Sequence, residues 1–424
     1  MDNKKTNYRW ILAVFAMLLT FMSYMDRVNL SVATPAIIQE LNFTKTDIGF
    51  IQTIFFLCYA LMQIPAGTIS EWLGHRKVLP FAISWWSIFT ALSAGCTTLW
   101  QWLIVRGLFG LGEAPIFPGI NSAFSNWFPK QERGKAVGFM LMGSHSGPVI
   151  GLPLSVFIMA LFGWKSIFYI FGAIGLLVGL GYYVLIRNDP RESPFVNDEE
   201  ARYIEEGRGF EKSNKKEMPP WKDFFKSVQF WAIGAQLGVA NYISYVFVTW
   251  LPTYLIEARN FSIKEMGFAA ALPSLGMILG NWACGIISDK LVKKGVSRSK
   301  IRTSFATVGL LFCCIGLYFT AIAIDKWTTV IWLTLALAFL GATMNTAWTS
   351  CTDLGGKFSG TISGWMNFCG NFIGAAAPTV TAWVVIQYGW NSAILATSVV
   401  GILGIVAWQF VKPGVPLHHA KFEK

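Results

Sequence analysis

Twelve stretches of roughly 20 apolar residues follow one another along the chain, and about 20 is the number an α-helix needs to cross the hydrocarbon core of a bilayer. They lie at 10–38, 46–70, 78–97, 100–126, 136–160, 165–186, 228–256, 263–288, 303–324, 327–350, 358–386 and 390–411. No water reaches a backbone N–H or C=O in lipid, so each stretch has to close its own hydrogen bonds. A helix does that within one segment, and the pattern therefore predicts an all-α membrane protein. Composition excludes a soluble enzyme with a large apolar core: 54% of the 424 residues are hydrophobic and 13% charged, whereas soluble domains carry about 25% charged residues. The 19 Trp and 12 Tyr suit aromatic belts at the two membrane faces.

The net charge of +11 does not indicate nucleic acid, because Lys and Arg are spread over the loops at regular intervals. Place the N-terminus on the cytoplasmic side and set Arg27 and Arg106 aside. Then 27 of the 34 Lys and Arg fall on cytoplasmic segments, and only Lys45, Lys165, Arg259, Lys264 and Lys326 fall outside. That asymmetry predicts that both termini are cytoplasmic. Short loops and short termini favour a bacterial inner membrane. The first stretch is too long for a secretory leader and lacks a small-residue cleavage site. Seven scattered Cys show no CxxC and no metal-ligand spacing, and the neighbours Cys313 and Cys314 are read as buried thiols. No metal or other cofactor is expected. Without a phosphate-binding glycine loop, ATP hydrolysis is not expected either. The expected state is a monomer.

The one long polar segment runs from Arg187 to Lys226 and is rich in Glu, Lys, Asn and Pro. It reads as a cytoplasmic linker with a surface helix around Asp198–Glu206. Three domains are therefore expected: a six-helix bundle over 1–187, the linker over 188–226, and a second six-helix bundle over 227–424. The halves echo each other. Gly67-Thr-Ile-Ser-Glu71 is matched by Gly285-Ile-Ile-Ser-Asp289, and Gly163-Trp164-Lys165-Ser166 by Gly389-Trp390-Asn391-Ser392; at the latter spacing Gly134 and Gly138 fall on Gly360 and Gly364. Two six-span halves related by a pseudo-twofold axis along the membrane normal is the parallel-repeat transporter plan, with a substrate site between the halves near the midplane.

Four ionisable residues sit inside apolar stretches: Asp26 and Arg27 in the first, Arg106 and Glu113 in the fourth. Each costs at least about 2.5–3.5 kcal/mol to take into lipid, so an ion or substrate pathway is the default reading. Arg106 and Glu113 share a helix face but stand about 10.5 Å apart along it, too far to pair directly. The first and fourth spans run in opposite directions, which lets the four charges meet between them. Adjacent residues point about 100° apart on a helix. The expected arrangement has Asp26 facing Arg106 and Arg27 facing a central cavity, where its planar fork can grip a carboxylate. The bland alternative is a static, neutral cluster that pins two helices. Desolvation offsets much of what such a cluster gains.

Gly67-x3-Glu71-x2-Gly74-x-Arg76-Lys77 resembles the signature loop of the major facilitator superfamily, with Glu71 where Asp is usual. A narrower resemblance rests on Tyr24-Met-Asp26-Arg27-Val-Asn29-Leu, Arg106-x6-Glu113-Ala-Pro115-x2-Pro118, Trp127-Phe-Pro129-x-x-Glu132-Arg133, Thr249-Trp250-Leu-Pro252-x-Tyr254-Leu and Asn367-Phe-x-Gly-Asn371. These motifs look like the anion:cation symporter family, and within it most like bacterial carriers that take up galactonate, glucarate or hexuronates with protons. The resemblance implies Asp26 and Glu113 as protonation sites, Arg106 as partner of Asp26, and Arg27 as carboxylate clamp. Two carboxyl groups in unlike surroundings suggest unequal proton affinities and more than one proton per cycle.

A sugar acid is a polyol and needs hydrogen-bonding side chains in an apolar cleft. Tyr24, Tyr59, Trp348 and Asn367 are the positions that the resemblance assigns to substrate; Asn371, one turn beyond Asn367, joins them. Interfacial anchoring or helix–helix bonding is the bland reading of each. In sugar-acid carriers the fifth span often carries Gln where this chain reads Gly143-Ser144-His145-Ser146. His145 is thus read as a packing residue held by a hydrogen bond, with a proton site or a hydroxyl ligand as alternatives, and Ser144 is a further candidate. Glu71, Arg76, Lys77 and Asp289 are assigned to gate contacts at the cytoplasmic ends. The expected function is a non-enzymatic importer of a small organic anion, most readily an aldonate, aldarate or hexuronate, by proton symport with alternating access. Another carboxylate or a sulfonate, an uncoupled uniporter, and a non-transporting sensor are the rivals.

Overall fold

A computed structural model describes residues 5–208, 220–355, 358–413, 415 and 417 of the chain, and among them there is no β-strand. Before the linker come α1 (Arg9–Leu41), α2 (Lys45–Leu73), α3 (His75–Ser93), α4 (Leu99–Glu113), α5 (Ile116–Trp127), α6 (Lys130–Phe162) and α7 (Trp164–Leu185). The linker contributes α8 (Asp198–Arg208) and α9 (Trp221–Lys226), and its residues 209–219 lie outside the described set. After it come α10 (Val228–Arg259), α11 (Ile263–Lys293), α12 (Arg298–Ile322), α13 (Lys326–Gly355), α14 (Ser359–Gly374) and α15 (Ala377–Gln409).

Ten segments among the described residues are long and apolar enough to cross a membrane. Two structural details raise the number of crossing helices to the expected twelve. α3 is a 19-residue helix whose Trp86, Ser87 and Thr90 are buried, so its polarity is hidden from lipid while lowering its mean hydropathy. α15 is two helices merged end to end, because Gly389 breaks it with φ 80° and ψ 173°. α4 and α5 form one crossing that is interrupted after Glu113. Pro115 has no N–H to give the carbonyl one turn back, and the helix restarts at Ile116.

The repeat written in the sequence returns in the backbone. Gly163 (φ 81°) and Gly389 (φ 80°) both stand just before a Trp that starts a crossing helix, and Gly74 (φ 77°) and Gly295 (φ 84°) both sit in the turns α2–α3 and α11–α12. A side chain at these left-handed positions would be strained, so each pair marks the same turn built twice.

By contacts the chain divides into two compact units, 1–37 with 57–216 and 38–56 with 217–424. In the first unit α3 packs along α7 and α4. A Cβ at Gly143 of α6 would lie 2.1 Å from the Met17 carbonyl oxygen, and one at Gly147 would lie 2.8 Å from that of Phe21. Between lipid-embedded helices, where the hydrophobic effect supplies little, such close backbone approach is the main source of attraction. It holds α6 against the part of α1 that carries the charges. In the second unit α13 packs on both α11 and α12, while α10 packs on α14 and α15. α9 seats Phe224 in an apolar cluster with Phe230, Met366 and Trp408.

The linker helix is part of the first unit. Glu200 of α8 is fully buried, accepts from Arg9 Nη1 at 2.7 Å and from the Tyr8 N–H at 2.9 Å, and Arg9 Nε reaches Glu132 of α6 at 2.7 Å.

Candidate functional site

All four intramembrane charges belong to the first unit and are at least 95% buried: Asp26 is 1% exposed, Arg27 5%, Arg106 1% and Glu113 0%. α4 ends at Glu113, and the carboxyl group meets α1 there. Arg27 Nε donates to Glu113 Oε1 at 2.9 Å, and Nη2 lies 2.8 Å from the same oxygen. Ser23, one turn before Arg27, donates its hydroxyl to that oxygen too. Glu113 Oε2 is buried and accepts no hydrogen bond among the described residues. The two oxygens of one carboxyl group are therefore in opposite circumstances. The Arg27 guanidinium lies 4.7 Å from the ring centroids of both Tyr24 and Tyr59. Two aromatic faces thus hold the cation in place while leaving its N–H groups to bond in its own plane.

Asp26 points elsewhere. Its Oδ1 accepts from Asn29 Nδ2 at 2.9 Å and its Oδ2 from Trp86 Nε1 at 3.2 Å. Asn29 is held in turn by Ser155 of α6, whose hydroxyl donates to Oδ1 at 3.1 Å. The Arg106 guanidinium lies 4.4 Å from the Phe109 ring and within the electrostatic reach of Glu113 and Asp26.

The sequence-derived geometry changes at two points. Asp26 and Arg106 form no direct ion pair; α3 supplies Trp86 and α1 itself supplies Asn29 as the donors to Asp26. Arg27 is engaged by Glu113, the last residue of α4. Arg106 and Glu113 do remain apart, as their spacing requires. Ser23, Trp86 and Ser155 were not singled out from the sequence. Ser23 carried a readable signal, since it lies one helical turn from Arg27. Trp86 and Ser155 carried none, being polar groups whose partner is 60 or more residues away.

The remaining candidates are distributed as follows. Ser144 donates to the Leu141 carbonyl at 2.9 Å within its own helix. His145 is half-buried and has no hydrogen-bond partner among the described residues, so the packing hydrogen bond expected for it is not formed. In the second unit Asn371 is buried, donates to Asn367 and accepts from the Tyr245 hydroxyl. Trp348 of α13 is 43% exposed. Of the gate residues, Arg76 donates its backbone N–H to Asn188 at 3.0 Å and lays its guanidinium 5.0 Å from the Tyr183 ring, and Lys77 is exposed. Asp289 is exposed at the rim of a cleft in the second unit. Glu71 lies on α2, but its side chain is outside the described residues. No cluster of His, Cys, Asp and Glu able to hold a metal occurs among the described residues.

Comparison with known proteins agrees with this architecture. The probable galactarate/D-glucarate transporter GudP of Bacillus subtilis is 30% identical over 426 residues, covering 96% of this chain and 92% of that protein. The probable sulfoacetate transporter SauU of Cupriavidus necator is also 30% identical, over 93% of this chain and 92% of that protein. Among solved structures, a bacterial homologue of the human lysosomal transporter Spinster superposes with a TM-score of 0.77 at 18% identity, covering 96% of this chain and 98% of that one, which speaks to the fold. The family model described as the Major Facilitator Superfamily matches residues 16–378. The chain belongs to the major facilitator superfamily and is a multi-pass membrane transporter rather than an enzyme.

Proposed function

We propose that the chain imports a small organic anion together with protons, by alternating access, and that its cargo is a sugar acid: an aldonate, aldarate or hexuronate. The observation that carries this reading is the state of Glu113. One of its oxygens takes the Arg27 and Ser23 donors while the other is buried without a partner. The bare oxygen is where a proton can be accepted without displacing a donor. Protonation neutralises the carboxyl group and removes about half of its hold on Arg27, because charge-assisted hydrogen bonds are roughly twice as strong as neutral ones. The guanidinium, steadied between Tyr24 and Tyr59, then turns to the carboxylate of the cargo. Anion and Glu113 carboxylate compete for one cation, so the anion binds when the proton is bound and leaves when the proton leaves.

The sugar-acid class is supported by the name of the B. subtilis relative and by the amide and hydroxyl groups of Asn367, Asn371 and Tyr245, of the kind a polyol requires. Asp26 and Arg106 are assigned to coupling, and Arg76, Lys77, Glu71 and Asp289 to gating. The Lys and Arg distribution supports cytoplasmic termini, and the bacterial relatives support an inner membrane. The C. necator relative favours a second reading on the same machinery, a short sulfonate. Uptake into proteoliposomes decides between them. Labelled galactarate, D-glucarate, galactonate, a hexuronate and sulfoacetate are offered with and without an inward proton gradient. The expected result is gradient-driven accumulation of a sugar acid. Accumulation of sulfoacetate alone would overturn the cargo class, and uptake indifferent to the gradient would overturn the coupling.

A further inference from the structure

In the second unit α11 and α12 both pack on α13 but have little contact with each other. A cleft of about 190 Å³ opens between them, well beyond the roughly 15 Å³ that a single water requires. Ser288, Asp289, Arg298, Arg302, Asn345 and Thr349 supply its polar walls. Arg298 and Arg302 are one turn apart on the same face of α12, close enough for each charge to act on the other. Like charges at that spacing repel, and the arrangement gains stability when an anion sits between them. Asp289 is not that anion, since it forms no ion pair with either arginine among the described residues. Arg302 is anchored by donation to the Thr349 carbonyl at 2.8 Å, whereas Arg298 has neither ion pair nor hydrogen bond there, and the Ser288 hydroxyl has no partner either. The flanking sequence deepens the positive field: six basic residues and one acid lie between Asn281 and Phe305.

We propose that this cleft binds a phosphate group, held by Arg298 and Arg302 and donated to by Ser288, at a site separate from the transport charges. The cleft lies where α11 ends and α12 begins, at the level of the membrane surface, and basic pockets between membrane helices at that level receive phospholipid head groups. A free phosphate offers the same oxygens. The two sources are separated by thermal unfolding of the purified full-length chain in three settings: with phosphatidylglycerol, with phosphatidylcholine, and with inorganic phosphate in phosphatidylcholine.

A stabilising shift with phosphatidylglycerol assigns the site to a lipid, and one with inorganic phosphate assigns it to a free anion. Arg298→Gln weakens the half-maximal concentration by about fivefold, the effect of one basic residue near a charged surface, and Ser288→Leu, which fills the cleft, does so as well. Arg298 is exposed and holds nothing, so its variant melts like the parent in phosphatidylcholine alone. Lys264→Gln, at the opposite end of α11, leaves the shift intact. No shift with either probe, or an undiminished shift in both cleft variants, overturns the site.

Discussion

Glu113→Gln separates binding from coupling, and the structure sets the size of the effect. Gln is nearly isosteric with Glu and keeps a carbonyl oxygen for Ser23 and Arg27, so the packing of α4 against α1 is retained. What it loses is charge. Hydrogen bonds to ionised groups contribute about 1.5–3 kcal/mol and neutral ones about 0.5–1.5 kcal/mol, a difference of about 1–1.5 kcal/mol for each bond. Glu113 Oε1 accepts one hydrogen bond from Ser23 and one from Arg27 Nε. Only the second of these holds Arg27, so that hold weakens by about 1–1.5 kcal/mol. That energy no longer opposes the incoming anion, so at a pH where Glu113 is ionised in the parent protein the variant should bind substrate about 5- to 13-fold more tightly. Binding should also lose its dependence on pH, since the competing proton site is gone. In proteoliposomes with the outside one pH unit more acidic, a carrier that moves one proton per anion concentrates its cargo tenfold, which corresponds to about 1.4 kcal/mol. The variant should exchange labelled for unlabelled substrate and stop at equal concentrations. A variant that still concentrates substrate, or whose affinity falls with rising pH as the parent's does, would refute the competition for Arg27.

Arg27→Lys keeps the charge but not the planar fork, and loss of one charge-assisted hydrogen bond should weaken anion binding by about 10- to 150-fold; isothermal titration with the transported acid measures it. Trp86→Phe removes the donor to Asp26 Oδ2 and leaves that buried oxygen unsatisfied, at a cost of about 1–3 kcal/mol, seen as a lower melting temperature together with slower transport. Arg9→Met leaves Glu200 buried without its cation, and losing one partner of a buried pair costs about 3–5 kcal/mol. Thermal unfolding and faster proteolysis in the linker report it, while the affinity for substrate should be unchanged because Arg9 is remote from Arg27 along α1.

The crossing helices were legible because lipid enforces them: an apolar run of the right length can do little else. α3 lies nearest the limit of hydropathy, since its buried polar groups lower the mean of an apolar run that the sequence still shows at 78–97. The four charges were legible for the same reason that they are costly. Their partners were not. Trp86 meets Asp26 across 60 residues, and in the sequence it is one of 19 Trp, most of which could serve as interfacial anchors. The linker misled in the opposite direction. An acidic stretch such as Asp198-Glu-Glu200 looks like a solvated helix face, yet Glu200 is the residue that ties α8 to α1.

The two acids differ in a way that their shared burial conceals. Asp26 has a donor on each oxygen, both neutral, and one of them is itself braced by Ser155. Each oxygen already holds a donor, so a proton bound there shares its oxygen with one. Glu113 has its donors on one oxygen and, among the described residues, none on the other. A carrier needs one acid that changes state readily and a surrounding field that does not. On this view Glu113 is the exchanging group, while Asp26 with Arg106 sets the field in which it exchanges. The consequence is an asymmetry between variants. Asp26→Asn, whose single amide oxygen keeps one of the two donors, should slow transport and shift its pH profile while some proton-driven accumulation survives, whereas Glu113→Gln abolishes accumulation at every pH. Equal and complete loss of accumulation in both would mean that the two carboxyl groups titrate as one unit, and the division of roles between them would fall.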